Sequence, residues 1–366
     1  MSSSAPSLSS SRPMVKREAR ETDDVLEAKY TRLVDVVANA RNIVFLTGAG
    51  ISTSASVPDF EGDSGLRKTG VLGVQEHKLD YAMPTYAHRA LAALASAPDR
   101  TRVNMVVTSN HDNLHARAGT PPTALAELFG NAYVEDCLRC GARYRRSVIV
   151  PPMKRRCDDA ACGGRLKRLG VRYGETVPYG PLKAACDALA VADLVIVLGS
   201  SLHTYMFEHL DLGPRMVIAN LQPTPFDDQA ILTFADYTDA FMDRLMASCF
   251  GNIAVPTYVY TQAATIRIDR TSPAAARVEL LGGAPNEPFT AAAAVYAAPS
   301  AAGPWTELSR SMITGVWAGE LAVPQNAPLV LRVEPSPGYI GAAEHVWTVP
   351  SGDAVASGVF EYTPAQ

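Results

Sequence analysis

Four short runs made almost wholly of apolar residues set the tightest limit on what this chain can fold into: Ile43-Val44-Phe45-Leu46, Val103–Thr108, Leu194–Leu198 and Met216–Ala219. A strand with one wet face alternates apolar and polar residues. A run without alternation is buried on both faces, the condition of a strand in a parallel sheet covered by helices. The segments between them agree. Residues 24–41 carry Leu26, Tyr30, Leu33 and Val37 at helical spacing, with Thr22 and Asp23 as candidate caps. Residues 86–95, 181–190 and the stretch holding Phe241, Met242, Leu245 and Met246 read as further helices. The alternation predicts an α/β fold with a doubly wound, Rossmann-like parallel sheet.

At 366 residues the chain exceeds one average domain. Residues 1–23 are Ser-rich and polar and read as a disordered tail, and 24–252 hold the α/β pattern. From about 255 the texture changes to short strands such as Thr265-Ile266-Arg267-Ile268-Asp269 and Leu329-Val330-Leu331-Arg332-Val333. Trp305, Trp317 and Trp347 all fall there, and 255–366 is expected to form a β-rich accessory unit, an antiparallel sandwich that docks a protein partner. Net charge of −4 gives no global field for nucleic acid, and no run of eighteen apolar residues offers a membrane span.

Of six cysteines, Cys186 and Cys249 lie in helix-like surroundings, while Cys137-x-x-Cys140 and Cys157-x4-Cys162 cluster. Each close pair can hold two corners of a tetrahedron, which points to a closed, structural zinc site in a small module at about 131–170. The surrounding Arg139, Arg143, Arg145, Arg146, Lys154, Arg155 and Arg156 favour thiolate and otherwise read as a solvated face. Thiols used this way suit a reducing, intracellular compartment better than a disulfide framework.

The first strand runs directly into Thr47-Gly48-Ala49-Gly50. Such a turn lets backbone amides approach a pyrophosphate at a helix N-terminus. The third glycine of the dinucleotide fingerprint is absent, since Thr53 stands in its place. The continuation is more specific. Gly48-Ala49-Gly50-Ile51-Ser52 leads to Val57-Pro58-Asp59-Phe60, and Thr108-Ser109-Asn110-His111-Asp112 follows the second strand. Leu125-Ala126-Glu127-Leu128-Phe129-Gly130-Asn131, Leu198-Gly199-Ser200-Ser201 and Asn220-Leu221-Gln222-Pro223-Thr224 complete an ordered series. Over about 25–250 the chain resembles the sirtuins, NAD-dependent protein deacylases, and their class IV branch of nuclear members. The resemblance implies that Gly48, Ala49, Gly50, Ser52, Asp59, Phe60, Gly199, Ser200 and Asn220 bind NAD or ADP-ribose. It places Asn110 and Asp112 at the nicotinamide pocket. It also implies that Val171-Arg172-Tyr173-Gly174-Glu175 pairs with an acylated peptide by strand addition, and that the chain is nuclear or cytoplasmic.

The same resemblance exposes departures. The family base is the His of a Leu-His-Gly triplet, which takes a proton from a ribose hydroxyl after the acyl oxygen displaces nicotinamide; here Phe129 occupies that place. Glu61 follows Pro58-Asp59-Phe60 where the family has Arg, with Arg67 and Lys68 the nearby cations that could compensate, and Ser109 replaces a Gln. His111 stands on the pocket wall in place of an aliphatic residue, and since a free imidazole ordinarily titrates near neutral pH it is the one candidate for a relocated base. His115 fits a position filled for structural reasons. The expectation is a sirtuin-like nucleotide- and protein-binding chain with a degenerate catalytic pocket and lost or reduced activity. The alternative is an active deacylase or ADP-ribosyltransferase using His111. A nicotinamide-dependent dehydrogenase fits less well, because the ribose-binding acid after the second strand is missing and the zinc is unexplained.

Overall fold

Each side chain of β1 (Ile43–Thr47) is buried, and the alternate residues divide between two cores. Ile43 and Phe45 enter one with Leu26, Leu33, Leu91 and Phe241; Val44 and Leu46 enter the other with Ala185, Leu189, Phe207 and Leu212. A computed structural model gives this architecture. It describes residues 18–59, 82–146, 149, 155–171, 175–204, 207, 210–213, 215–258, 260–272, 275–282, 292–310, 317–322, 327–335, 345–349 and 355–362.

β1 pairs in parallel with β2 (Val103–Thr108) on one side and β7 (Leu194–Leu198) on the other. With β3 (Leu125–Glu127), β8 (Met216–Ala219) and β9 (Leu232–Phe234) they form a six-stranded parallel sheet, ordered β3-β2-β1-β7-β8-β9. The helices Asp23–Ala38, Tyr86–Ala95 and Thr238–Cys249 cover one face and Tyr179–Val191 the other, so the doubly wound reading holds. The first helix begins after Thr22, whose side chain makes no cap hydrogen bond, and ends three residues earlier than the sequence pattern indicated. Strand order reverses direction between β1 and β7, and the crevice above such a switch point is where doubly wound sheets place ligands.

A three-stranded antiparallel sheet, β4 (Val134–Cys137) flanked by β5 (Arg143–Arg145) and β6 (Leu166–Arg168), follows β3 and carries the cysteines. Beyond the helix Thr238–Cys249, nine antiparallel strands among the described residues form two sheets. One comprises β10 (Tyr260–Ser272), β11 (Ala275–Gly282), β14 (Ser309–Arg310), β15 (Trp317–Ala322) and β18 (Val355–Tyr362). The other comprises β12 (Ala292–Ala298), β13 (Thr306–Glu307), β16 (Leu329–Pro335) and β17 (His345–Val349). Their inner residues, among them Ile266, Val278, Trp317, Val295, Leu331 and Val349, share one core, as a sandwich requires. Trp305 stays outside that core, its ring 4.8 Å from the Arg332 guanidinium. Met83 packs against the sandwich core and Arg89 donates to the Pro256 carbonyl at 2.8 Å, which ties the sandwich to the edge of the α/β unit.

Residues 18–22 lie in the stretch expected to be a tail, yet they are anchored. Arg20 pairs with the buried Asp236 at 2.6 Å, the Glu21 amide donates to the Ala235 carbonyl, and Gln222 donates to the Glu18 carboxylate at 3.2 Å.

Candidate functional site

The carboxyl ends of β1 and β7 carry two small-residue turns that touch each other. The Gly48 amide donates to the Leu198 carbonyl, and the Gly50 amide to that of Gly199 at 2.8 Å. A Cβ on Gly48 would lie 2.8 Å from the Gly199 carbonyl oxygen, and one on Gly199 would lie 2.6 Å from Gly50 and Ile51 backbone atoms. Gly199 also holds a left-handed φ of 58°. No side chain fits between the turns, and the two backbones pack directly on one another. The element that follows is not the α-helix the sequence led us to expect. Ala49–Ala55 is a seven-residue 3-10 helix ended by left-handed Ser56, so any dipole at its start is weaker than a full helix supplies. Ser200 is buried, and the Leu202 amide donates to its hydroxyl at 3.3 Å. Asn220, at the end of β8, donates its side-chain amide to the Gln222 carbonyl at 2.7 Å and shapes the loop on the far side of β7.

Beneath the first turn is a fully buried polar web. Ser52 Oγ donates to Asp112 Oδ2 at 2.7 Å, while Asn110 Nδ2 donates to the Gly48 carbonyl at 3.0 Å and to Ser52 Oγ at 3.3 Å. The second Asp112 oxygen accepts the Leu114 amide at 3.0 Å and caps the short helix Leu114–Arg117. Four residues that the sequence placed in one pocket, Gly48, Ser52, Asn110 and Asp112, are thus brought together. Asp59 is half-buried at the end of the described loop; Phe60, Glu61, Arg67 and Lys68 lie outside the described residues.

Phe129 is half-buried in a segment clipped to the wall of this pocket. Leu128 N donates to Thr108 O at 2.9 Å, Ala132 N to His111 O at 3.0 Å, and Asn131 Nδ2 to Asn113 Oδ1 at 2.8 Å. His111, half-buried, therefore stands one chain away from Phe129, on the opposed segment. Phe129 O accepts from Val171 N at 2.8 Å, which joins position 129 to the first residue of the expected peptide strand; 172–174 lie outside the described residues and Glu175 is exposed. Gly130 adopts φ 67°, and a Cβ there would sit 2.0 Å from the Leu169 carbonyl. Sequence reasoning missed Glu127, Asn113 and Asn131. Asn131 Nδ2 also donates to Glu127 Oε1 at 2.7 Å, and burial pushes the Glu127 carboxyl up to about 7 against the opposing pull of that hydrogen bond. The only local signal for them was two Asn residues at turn positions.

His88 and His115 pack ring to ring below the web, with centroids 4.6 Å apart. Thr85 gives its single hydroxyl proton to the Ile51 carbonyl at 3.1 Å, so in its 2.8 Å contact with His88 it accepts, and Nδ1 of His88 carries the hydrogen. Nε2 of His88 and Nδ1 of His115 are buried without a partner among the described residues. Burial holds His88 down to about 3, and burial followed by the neighbouring His88 holds His115 well below its ordinary value, with Asp112 opposing. Both are bound neutral. Because each folded-state value lies below the unfolded one, the contribution of both is fully present above pH ~6.5 and falls as pH drops, for His88 down towards about 3. For His88 this is roughly a tenfold loss in the folding equilibrium per pH unit across that window. Urea unfolding between pH 7 and 4 should show this slope, and His88→Gln should flatten it; an unchanged slope in that variant would remove His88 from the account.

The four cysteines meet at one point, their Sγ atoms all within 4.8 Å of one another. Cys137–Cys162 and Cys140–Cys157 are 3.6 and 3.7 Å apart. A tetrahedron of thiolates at a Zn–S distance of about 2.3 Å has edges near 3.8 Å, so the cluster fits zinc. Backbone amides of Cys140 and Arg139 draw the Cys137 thiol down to about 6, while against the pull of the Ala142 amide the crowding of sulfurs pushes Cys140 up to about 12, so these thiols do not ionise alike without a cation. With four protein ligands no coordination position is left for chemistry, and the site is structural.

Comparison with known proteins agrees with this geometry. The Sir2 family model matches residues 72–206. The NAD-dependent protein deacetylase SRT1 of Oryza sativa subsp. indica is 34% identical over 266 residues, covering 69% of this chain and 54% of the relative. The NAD-dependent protein deacetylase Sirt6 of Drosophila melanogaster is 32% identical over 248 residues, covering 62% of this chain and 77% of the relative. The chain spans about half the length of the first of these. A solved Sir2 protein with deacetylated p53 peptide and 3'-O-acetyl ADP-ribose superposes with a TM-score of 0.51 at 32% identity, over 62% of this chain and 100% of that one.

Proposed function

The chain belongs to the Sir2 family, and from that premise we propose that it binds NAD above the β1–β7 switch point and removes acyl groups from lysine side chains of proteins, with His111 as proton acceptor. The observation that carries the reading is the buried web of Ser52, Asn110 and Asp112 beside two turns that admit no Cβ, a cradle shaped for a pyrophosphate and a carboxamide. Bound NAD supplies the ribose carbon that takes the acyl oxygen as nicotinamide departs. The chain's own part is to hold and to accept a proton. Gly48, Ala49, Gly50, Gly199 and Ser200 offer backbone to the phosphates, Asp59 and Phe60 are assigned to the cofactor by the family resemblance, Asn220 faces the adenine ribose, and Asn110 with Asp112 orients the nicotinamide. A peptide laid along 171–175 would bring its acyl-lysine to Phe129, whose ring fills volume and takes no proton. His111, on the facing segment, is the imidazole able to do so. The unit over 24–252 performs the chemistry, the zinc module within about 131–170 braces it, and the sandwich over 255–366 docks a partner. Four cysteines gathered as metal ligands favour a nuclear or cytoplasmic setting; among the described residues no helix is long and apolar enough to cross a membrane.

Phe129 favours a second reading, in which the pocket binds nucleotide and peptide without turnover. Nicotinamide release from NAD in the presence of an acetylated peptide separates the two. On the first reading the parent chain turns over and His111→Ala lowers the rate by about 10²–10⁴-fold, the usual worth of a positioned base. A silent parent that becomes active on Phe129→His would establish the second. Turnover indifferent to His111→Ala would remove His111 from the role.

A further inference from the structure

In doubly wound dinucleotide sites an acid at the end of the second strand commonly takes the adenine ribose 2'-hydroxyl and turns away a 2'-phosphate. Here β2 ends in Thr108-Ser109-Asn110 and the next carboxylate, Asp112, is committed to Ser52 and the Leu114 amide. The fold brings a substitute from elsewhere. The segment 18–21 runs beside the end of β9, fixed by Arg20 on Asp236 and by the exchange between Glu21 and Ala235 in which each backbone amide is bonded. That course sets Glu18 against the loop after β8, where Gln222 donates to its Oε1 at 3.2 Å and Asn220 donates to the Gln222 carbonyl. Apart from the exposed Asp228, the other acids at this end are occupied. Asp227 accepts from the Thr224 amide and hydroxyl, Glu21 pairs with Lys29, and Asp236 serves Arg20, Tyr30 and the Tyr237 amide. The partner of Glu18 at this loop is a neutral amide, which orients the carboxylate and leaves its charge in place.

We infer that Glu18 determines the cofactor's ribose identity, accepting a free 2'-hydroxyl and excluding a 2'-phosphate, so that the chain takes NAD and ADP-ribose and rejects their 2'-phosphorylated forms. This rests on the reading of 220–224 as the adenosine side of the proposed NAD site. The chemistry is direct: a hydroxyl can donate to a carboxylate, whereas a phosphate dianion offers it no proton and meets its charge through a partly shielded surface. Part of the discrimination thus lies in the N-terminal segment, outside the strand-and-turn motifs of the sheet.

Isothermal titration of the full chain with ADP-ribose and with 2'-phospho-ADP-ribose tests it without any turnover. The parent should prefer ADP-ribose. Glu18→Gln should narrow that preference about tenfold or more, chiefly by tighter binding of the phosphorylated ligand. Asp228→Asn, which removes an exposed charge from the neighbouring turn, should leave the ratio unchanged. An unaltered ratio in Glu18→Gln, or an equal shift in both variants, overturns the assignment while ADP-ribose binding leaves the pocket standing. Failure of the parent to bind ADP-ribose overturns the pocket itself, and Glu18 with it.

Discussion

A chain carrying Cys157→Ala is expected to emerge without zinc and with the cysteine module unfolded, while the parallel sheet stays intact. The module has little else to hold it. Among the described residues its apolar cluster is Ala132, Tyr133 and Ile149, and its strands β5 and β6 span three residues each. A unit that small folds on metal binding, where the apparent contribution of a four-thiolate zinc is on the order of 10–16 kcal/mol. Cys157 has more to lose than one ligand. Its amide bonds the Gly164 carbonyl at 2.7 Å and its sulfur meets the Tyr144 hydroxyl at 3.0 Å, so both ends of the module run through it. Next to it, Asp158 and Glu135 share the buried Arg146 guanidinium, an arrangement that stabilises only while all three stay together. Metal analysis should fall from a single zinc per chain to near none. Hydrogen exchange should rise across 134–168 and hold steady in β1 and β7. Full zinc retention, or loss of protection throughout the sheet, would contradict this division of stability.

Gly199→Ala is expected to be the costliest single methyl at the two turns of the switch point. The residue needs a left-handed backbone, worth about 1–2 kcal/mol against any other residue. Its new Cβ would lie 2.6 Å from backbone atoms of Gly50 and Ile51, which cannot swing aside as a side chain could. Overpacking of that kind adds about 1–3 kcal/mol. Thermal unfolding should fall by roughly 5–15 °C, and ADP-ribose affinity should drop by about tenfold or more as the two turns are pushed apart. Gly119→Ala is the control, since Gly119 also has a left-handed φ but nothing within 4 Å of its absent Cβ. Equal losses in the two variants would mean that backbone strain alone explains Gly199, and that the contact between the turns carries no weight.

What could be read from the chain, and what could not, follows the range of the forces involved. β7 and β8 were legible to the residue because their burial is complete on both faces and therefore written as unbroken apolar runs. The cysteines were legible because ligand spacing is local. β3, β9 and the strands of the zinc module escaped notice because three or four residues cannot display a period, and neighbours set their register. The 3-10 turn after Gly48 was taken for an α-helix, since a helix start looks the same from its first residues. Glu18 and Arg20 find their partners more than two hundred positions away, which no window along the sequence can contain. The pairing of His111 with Ala132 and of Asn113 with Asn131 is likewise a property of two segments meeting, invisible in either alone.

The clip between 108–113 and 128–132 has one further consequence. Position 129 is held in place from both sides by bonds that use its neighbours' backbone and its own carbonyl, and its side chain has no share in them. Its ring can be exchanged without unlatching the wall. The frame resembles a socket whose plug is replaceable, so a lineage carrying this fold can gain or shed a titratable group there by a single codon change, at little cost to folding. Descent could then pass through chains with and without an imidazole at 129 in either direction, and the architecture around it would keep no record of which came first.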